Sequence, residues 1–174
     1  MKKIIVYVPL AVDFLHEGHI NILRIAKKYG DVIVGLLTDE AISNYKSIPL
    51  LDYKNRELLV KNLKYVSKVV PQKTEDYSNN LNKIKPNFFV HGDDWKYDNR
   101  KKTRAKVIKT LKKWSGKLIE PKYTKDISSF KIKKKILELA SLPENRVSRL
   151  KRLLSSKKIV RILESHKFID RSYH

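Results

Sequence analysis

Apolar and polar positions alternate between two periods along the first 141 residues. Residues 2–10, KKIIVYVPL, hold an unbroken apolar run rich in β-branched side chains, which predicts a buried strand. Residues 18–30 follow with Ile22, Leu23, Ala26 and Tyr29 near one helical face and Gly30 as a stop. The same handover recurs. Strands are predicted over 31–39, 68–72, 87–92 and 117–121, and helices over 53–66, 79–86, 100–116 and 128–141. Strands alternating with helices predict an α/β fold, a Rossmann-like doubly wound parallel sheet, with ligands at the carboxyl ends of its strands. The segments VDFLHEGH, LLTDE and VHGDDW each follow a predicted strand, so they should meet on one rim. Residues 146–166 carry a separate helical stripe with basic residues between. The expected division is therefore 1–141 and a helical tail at 142–174.

Composition narrows the chemistry. The chain of 174 residues has no cysteine, which excludes disulfides and thiolate metal sites and agrees with a reducing, cytoplasmic setting. The lysines and apolar run at the N-terminus imitate a signal peptide. Asp13 arrives early and no small-residue cleavage pattern follows, so a first strand is the better reading. No apolar run approaches the roughly 20 residues of a membrane span. The net charge is +21, and it is uneven. Residues 1–90 hold 14 Lys+Arg against 9 Asp+Glu, and residues 91–174 hold 25 against 9. Such a basic half suits a polyanion, although a general lysine bias would also produce it. Nucleic acid is not the expected partner.

The densest chemistry lies in D-x-x-H-x-G-H, Asp13 to His19. His16 and His19 share a face if they open a helix, and Gly18 lets the backbone approach a ligand. The first N–H groups of that helix would point at the same place, making an anion site. A zinc site is the weaker reading, because the spacing is wrong and a third ligand would have to be Asp13 or His91. Ser128 or Ser129 can cap a later helix, flanked by Lys125 and Lys131. Asp93 or Asp94 can orient a ribose, a base or a lysine. Lys46 and Arg56, taken singly, read as solvated charges.

Together, D-x-x-H-x-G-H, VGLLTDE, Lys46, Arg56, GDDW and I-S-S resemble the cytidylyltransferase-type nucleotidyltransferases over roughly residues 3–136. Glycerol-3-phosphate cytidylyltransferase is the plainest example. HEGHINIL, VVPQ, VHGDDWK and YTKDISS are similar in particular to the cytidylyltransferase domain fused to phosphoenolpyruvate phosphomutases in phosphonate biosynthesis. The tail resembles the lead-in to that mutase barrel, which this chain lacks.

The resemblance implies CMP transfer from CTP, with magnesium, to a small phosphonate such as 2-aminoethylphosphonate or 2-hydroxyethylphosphonate. Glycerol 3-phosphate, phosphocholine and phosphoethanolamine are the alternative acceptors. It implies that His16 and His19 hold the triphosphate, that Lys46 neutralises its charge and that Asp13 positions the site or its magnesium. Ala11, Val12, Gly18, Tyr123, Thr124, Ile127, Ser128 and Ser129 would complete the nucleotide site, with Asp93 and Trp95 shaping its pocket. Arg56 and Lys73 would serve the acceptor. A homodimer is the usual assembly of such proteins.

Two departures stand out: G-T-F-D reads Leu10–Asp13, and R-T-x-G-I-S reads Tyr123–Ser128 with Asp126 for glycine. A degenerate, non-catalytic binding module is the rival class.

Overall fold

The apolar run near the N-terminus becomes the central strand of a five-stranded parallel sheet. A computed structural model describes residues 3–44, 49–96, 100–124, 127–141, 147–148 and 151. The strands are β1 (Ile5–Leu10), β2 (Asp31–Leu37), β3 (Lys68–Gln72), β4 (Phe88–Val90) and β5 (Lys117–Ile119), in the order β3-β2-β1-β4-β5. The helices are α1 (Glu17–Lys27), α2 (Asp39–Ser43), α3 (Tyr53–Lys61), α4 (Ser78–Ile84), α5 (Lys101–Leu111) and α6 (Ser129–Ser141). β1 pairs with β2 from Ile5↔Asp31 to Leu10↔Leu36, and with β4 through Val6↔Phe88 and Tyr7↔Phe89. The chain moves outward from β1 to one edge, then returns to build the other half. The crevice where strand order reverses lies at the carboxyl ends of β1 and β4.

Side-chain alternation along β1 divides the core into two layers. Val6, Val8 and Leu10 pack with Leu23 and Ala26 of α1 and Val60 of α3. Tyr7 points the other way, with Leu81 of α4 and Val107 and Leu111 of α5. Strands covered on both faces need continuous apolar runs, which is how β1 and β2 read in sequence. Tyr7 carries the one polar group of the β1 core. Its hydroxyl donates to Gln72 Oε1 at 2.6 Å and accepts from Asn80 Nδ2 at 3.0 Å.

The expected architecture is present, with differences of detail. The long strand expected over 87–92 is only Phe88–Val90. After it the Asp93 N–H bonds to Pro121 O, and the chain turns into a short 3₁₀ turn, Asp93–Lys96. The run DVIVGLLTD stops at Leu37, because Thr38 caps the short helix α2 by accepting from Ala41 N–H. The chain divides into two compact units, Met1–Ile132 and Lys133–His174, the break falling inside α6. The stripe expected over 146–166 lies outside the described residues, apart from helical positions at 147–148 and 151. No helix among the described residues is long and apolar enough to cross a membrane.

Gly35 faces Tyr7. A Cβ there would stand 1.8 Å from the tyrosine hydroxyl and 2.3 Å from Cζ. Gly35→Ala is therefore expected to cost about 1–3 kcal/mol through forced displacement of a packed ring. A urea midpoint equal to wild type would show that the ring yields without cost.

Candidate active site

The loop from β1 to α1 places the histidines. His16 is the N-cap of α1, with extended backbone at φ −146° and ψ 171°. Its Nδ1 accepts from Gly18 N–H at 3.2 Å, and His19 Nδ1 accepts from His16 N–H at 3.4 Å. Two imidazoles thus form a reciprocal capping box, a task usually given to Ser or Thr with Glu or Gln. Their rings lie 3.9 Å apart between centroids. A Cβ on Gly18 would come within 3.1 Å of the His16 ring, so glycine is what lets the ring fold back. Capping also selects a tautomer. A neutral imidazole that accepts at Nδ1 carries its proton at Nε2. Burial pushes the His16 pKa below its ordinary value, which favours that neutral form.

Val12, four residues before the cap, has φ +51° and is 1% exposed. A β-branched residue in the left-handed region is strained, and such strain concentrates at functional loops. Asp13 follows, its Oδ1 accepting from Leu50 N–H at 2.6 Å.

The start of α6 is joined to the same loop. Ser129 Oγ donates to Phe14 O at 3.2 Å and lies 3.4 Å from Phe14 N, which donates to it. Ser128 Oγ accepts from Lys131 N–H at 3.2 Å, so Ser128 is the capping serine. Asn21 of α1 bonds Thr124 Oγ1 at 3.4 Å. Two helix N-termini therefore lie side by side at the switch point, an arrangement whose N–H groups and dipoles suit an anion. Ile127 is half-buried just before this start.

The β4 rim contributes less directly than expected. Asp93 Oδ1 accepts from Tyr123 N–H at 2.9 Å, fixing the segment that leads to α6. Trp95 does not present its ring to a ligand. It is fully buried, its Nε1 donates to Glu120 at 2.7 Å, and it stacks on His91 at 3.9 Å. This corrects its expected place in the pocket wall: the indole supports His91 from beneath. Tyr123, which stands where the resemblance expects arginine, is 45% exposed beside Gly92. Lys73 is exposed just beyond β3. Lys46, Lys125 and Asp126 lie outside the described residues.

Arg56 is the largest correction. It is fully buried, not solvated. Its NH1 donates to Ala11 O and Leu37 O at 2.6 and 2.8 Å, its Nε to Leu51 O at 3.0 Å, and its NH2 to Asp39 Oδ1 at 2.5 Å. The group expected to bind an acceptor is a clamp on the carboxyl ends of β1 and β2. Sequence reading also passed over Glu120. Arg104 holds it at 2.8 Å through both oxygens, Trp95 and Lys96 also donate to it, and its pKa is pulled down to about 2. Among the described residues, no three His, Cys, Asp or Glu side chains cluster as a metal site. The donor set does not fit a metal held by protein alone.

Residues 12–135 match the family described as cytidylyltransferase-like. Glycerol-3-phosphate cytidylyltransferase of Bacillus subtilis is 36% identical over 97 residues, 55% of this chain and 74% of that protein. Ethanolamine-phosphate cytidylyltransferase of Dictyostelium discoideum is 38% identical over 98 residues, 53% of this chain and 26% of its own length. The FAD synthase of Thermoplasma volcanium is 30% identical over 136 residues, 73% and 89% of the two chains. The crystal structure of a protein from Thermoplasma volcanium, described as a lipopolysaccharide core biosynthesis protein, superposes with a TM-score of 0.62. It shares 26% identity and covers 71% of this chain and 99% of that one.

Two stability measurements check the clamp and the acid network. Arg56→Met should lose about 3–5 kcal/mol in urea unfolding, because it leaves the carbonyls of Ala11, Leu37 and Leu51 without their donor. A loss below 1 kcal/mol would refute the clamp. Glu120 has its folded pKa depressed, so its contribution is present above its ordinary value of 4.5 and fades as pH falls towards about 2. The stability gap between wild type and Glu120→Gln should therefore close across that window. A gap independent of pH would show that the carboxylate charge is irrelevant.

With the family match spanning most of the sheet and both helix starts, this chain is an enzyme that belongs to the cytidylyltransferase-like family.

Proposed function

We propose that this enzyme transfers CMP from CTP to an ionised oxygen of a small phosphate-bearing acceptor. That oxygen attacks the α-phosphorus, the bond from the α-phosphorus to its bridging oxygen breaks, and pyrophosphate leaves. An ionised acceptor brings its own nucleophile, so no general base is needed. Catalysis is positioning plus stabilisation of charge on the phosphoryl oxygens.

The observation that carries this reading is the histidine capping box beside the start of α6. With its Nδ1 accepting from Gly18 N–H, neutral His16 holds an N–H donor at Nε2 for phosphate oxygens, and the His19 ring stands beside it at 3.9 Å. The N-termini of α1 and α6, with Ser128 and Ser129, add to the same field. Lys46 supplies further positive charge. Ala11, Val12, Gly18, Thr124 and Ile127 supply close backbone, and Asp93 and Tyr123 border the nucleoside. Lys73 meets the acceptor. Asp13 would be the carboxylate to hold a magnesium ion bound with the triphosphate, which would neutralise phosphate charge.

Alcohol phosphates, glycerol 3-phosphate and ethanolamine phosphate, rank ahead of the phosphonate expected from sequence, because the relatives named above act on them. A second reading follows from the FAD synthase match, which runs along more of this chain than the cytidylyltransferase matches do. In that reading the nucleotide joined is adenylyl and the acceptor is a flavin phosphate.

Pyrophosphate release should be measured with CTP and ATP against alcohol phosphates, phosphonates and a flavin phosphate. Release with CTP and an alcohol phosphate is expected, and His16→Ala or His19→Ala should reduce kcat on the order of 10²-fold or more. Release only with ATP and the flavin phosphate would establish the second reading. Silence with every pair would remove both.

A further inference from the structure

The two helical layers of the sheet differ in charge. The α1–α3 layer mixes signs, with Glu17, Arg24 and Lys27 on α1 and a Lys61–Glu57 pair on α3. The sequences of α4, α5 and the turn Lys112–Trp114 contain no acidic residue. A general lysine bias would load both layers alike, so the asymmetry belongs to this face. Lys83, Lys101, Lys102, Lys109, Lys112 and Lys113 are exposed there. Among the described residues none of the six has a carboxylate partner, whereas Lys106 pairs with Asp76 and Arg104 with Glu120. Lys102, Lys109 and Lys113 fall on one stripe of α5 and its extension, away from buried Val107 and Leu111.

We propose that the α4–α5 layer docks on an anionic lipid bilayer surface. The charges are lysine ammonium groups spread over two neighbouring helices, which suits a field of anionic headgroups. Sequence-specific or single-strand nucleic-acid recognition calls for something else: an element that enters a groove, or exposed rings that stack on bases. Here the arginine of the layer is engaged by Glu120, and Trp114 is half-buried with its Nε1 donating to Pro86 O at 2.9 Å. Docking through a face of the sheet leaves the rim at the carboxyl ends of the strands open to substrate. The proposal concerns location only and does not depend on the acceptor.

The test is co-sedimentation of the full chain with phosphatidylcholine vesicles, with and without phosphatidylglycerol, at low and high salt. Binding is expected only with phosphatidylglycerol, and it should vanish at high salt as the Debye length shrinks. Each lysine near such a surface multiplies affinity by about five, so the triple variant Lys102→Gln, Lys109→Gln, Lys113→Gln should bind about 100-fold more weakly. Its nucleotidyl transfer without vesicles should match wild type, which also reports a folded variant. Lys133→Gln, Lys134→Gln, Lys135→Gln on α6 is the comparison. Three results would each overturn the proposal: no binding of wild type, loss of binding confined to the α6 variant, or tighter binding to duplex DNA at the same salt.

Discussion

A single buried guanidinium holds together the rim at the carboxyl ends of β1 and β2. Arg56 reaches from α3 to the chain just after β1, the end of β2 and the loop before α3, and neutralises its charge on Asp39. Burying a cation is costly unless its donors are matched, and here three carbonyls and a carboxylate take four of its five N–H groups. The payoff is rigidity where it matters. Ala11 is the residue before strained Val12, so the clamp presses on the loop that delivers Asp13 and His16. Strain of this kind persists only where the surroundings over-determine it.

From that loop the histidines acquire their chemistry by a local rule. A helix start must satisfy its first N–H groups, and here imidazole nitrogens do it. The same bonds that close α1 decide which nitrogen carries the proton. Ser129 then draws a second helix start against the first.

The strands and helices were largely legible, because parallel strands buried on both faces must be apolar throughout and their helices must be striped. The D-x-x-H-x-G-H run was legible as a helix opening, because it precedes a striped segment and puts His16 and His19 three apart. Arg56 was not: its partners are mostly main-chain oxygens at positions 11, 37 and 51, and carbonyls leave no trace in residue identities. Trp95 misled because an aromatic after GDD reads the same whether it lines a pocket or supports one. Only its contacts with Phe89, His91 and Glu120 tell. The helix α2 was missed because five residues are too few to show a period.

Strand order has a consequence for synthesis. β1 is made first, yet its neighbour β4 is separated from it by about eighty residues, as the Ile5–Asn87 bond spanning 82 positions shows. One side of the central strand must wait until most of the unit has left the ribosome. During that interval a row of β-branched side chains and unpaired amides is available to other nascent chains. The α1–α3 half can assemble against β1 and β2 meanwhile. The crevice at the carboxyl ends of β1 and β4 is therefore the seam at which the two halves of the sheet are last to meet.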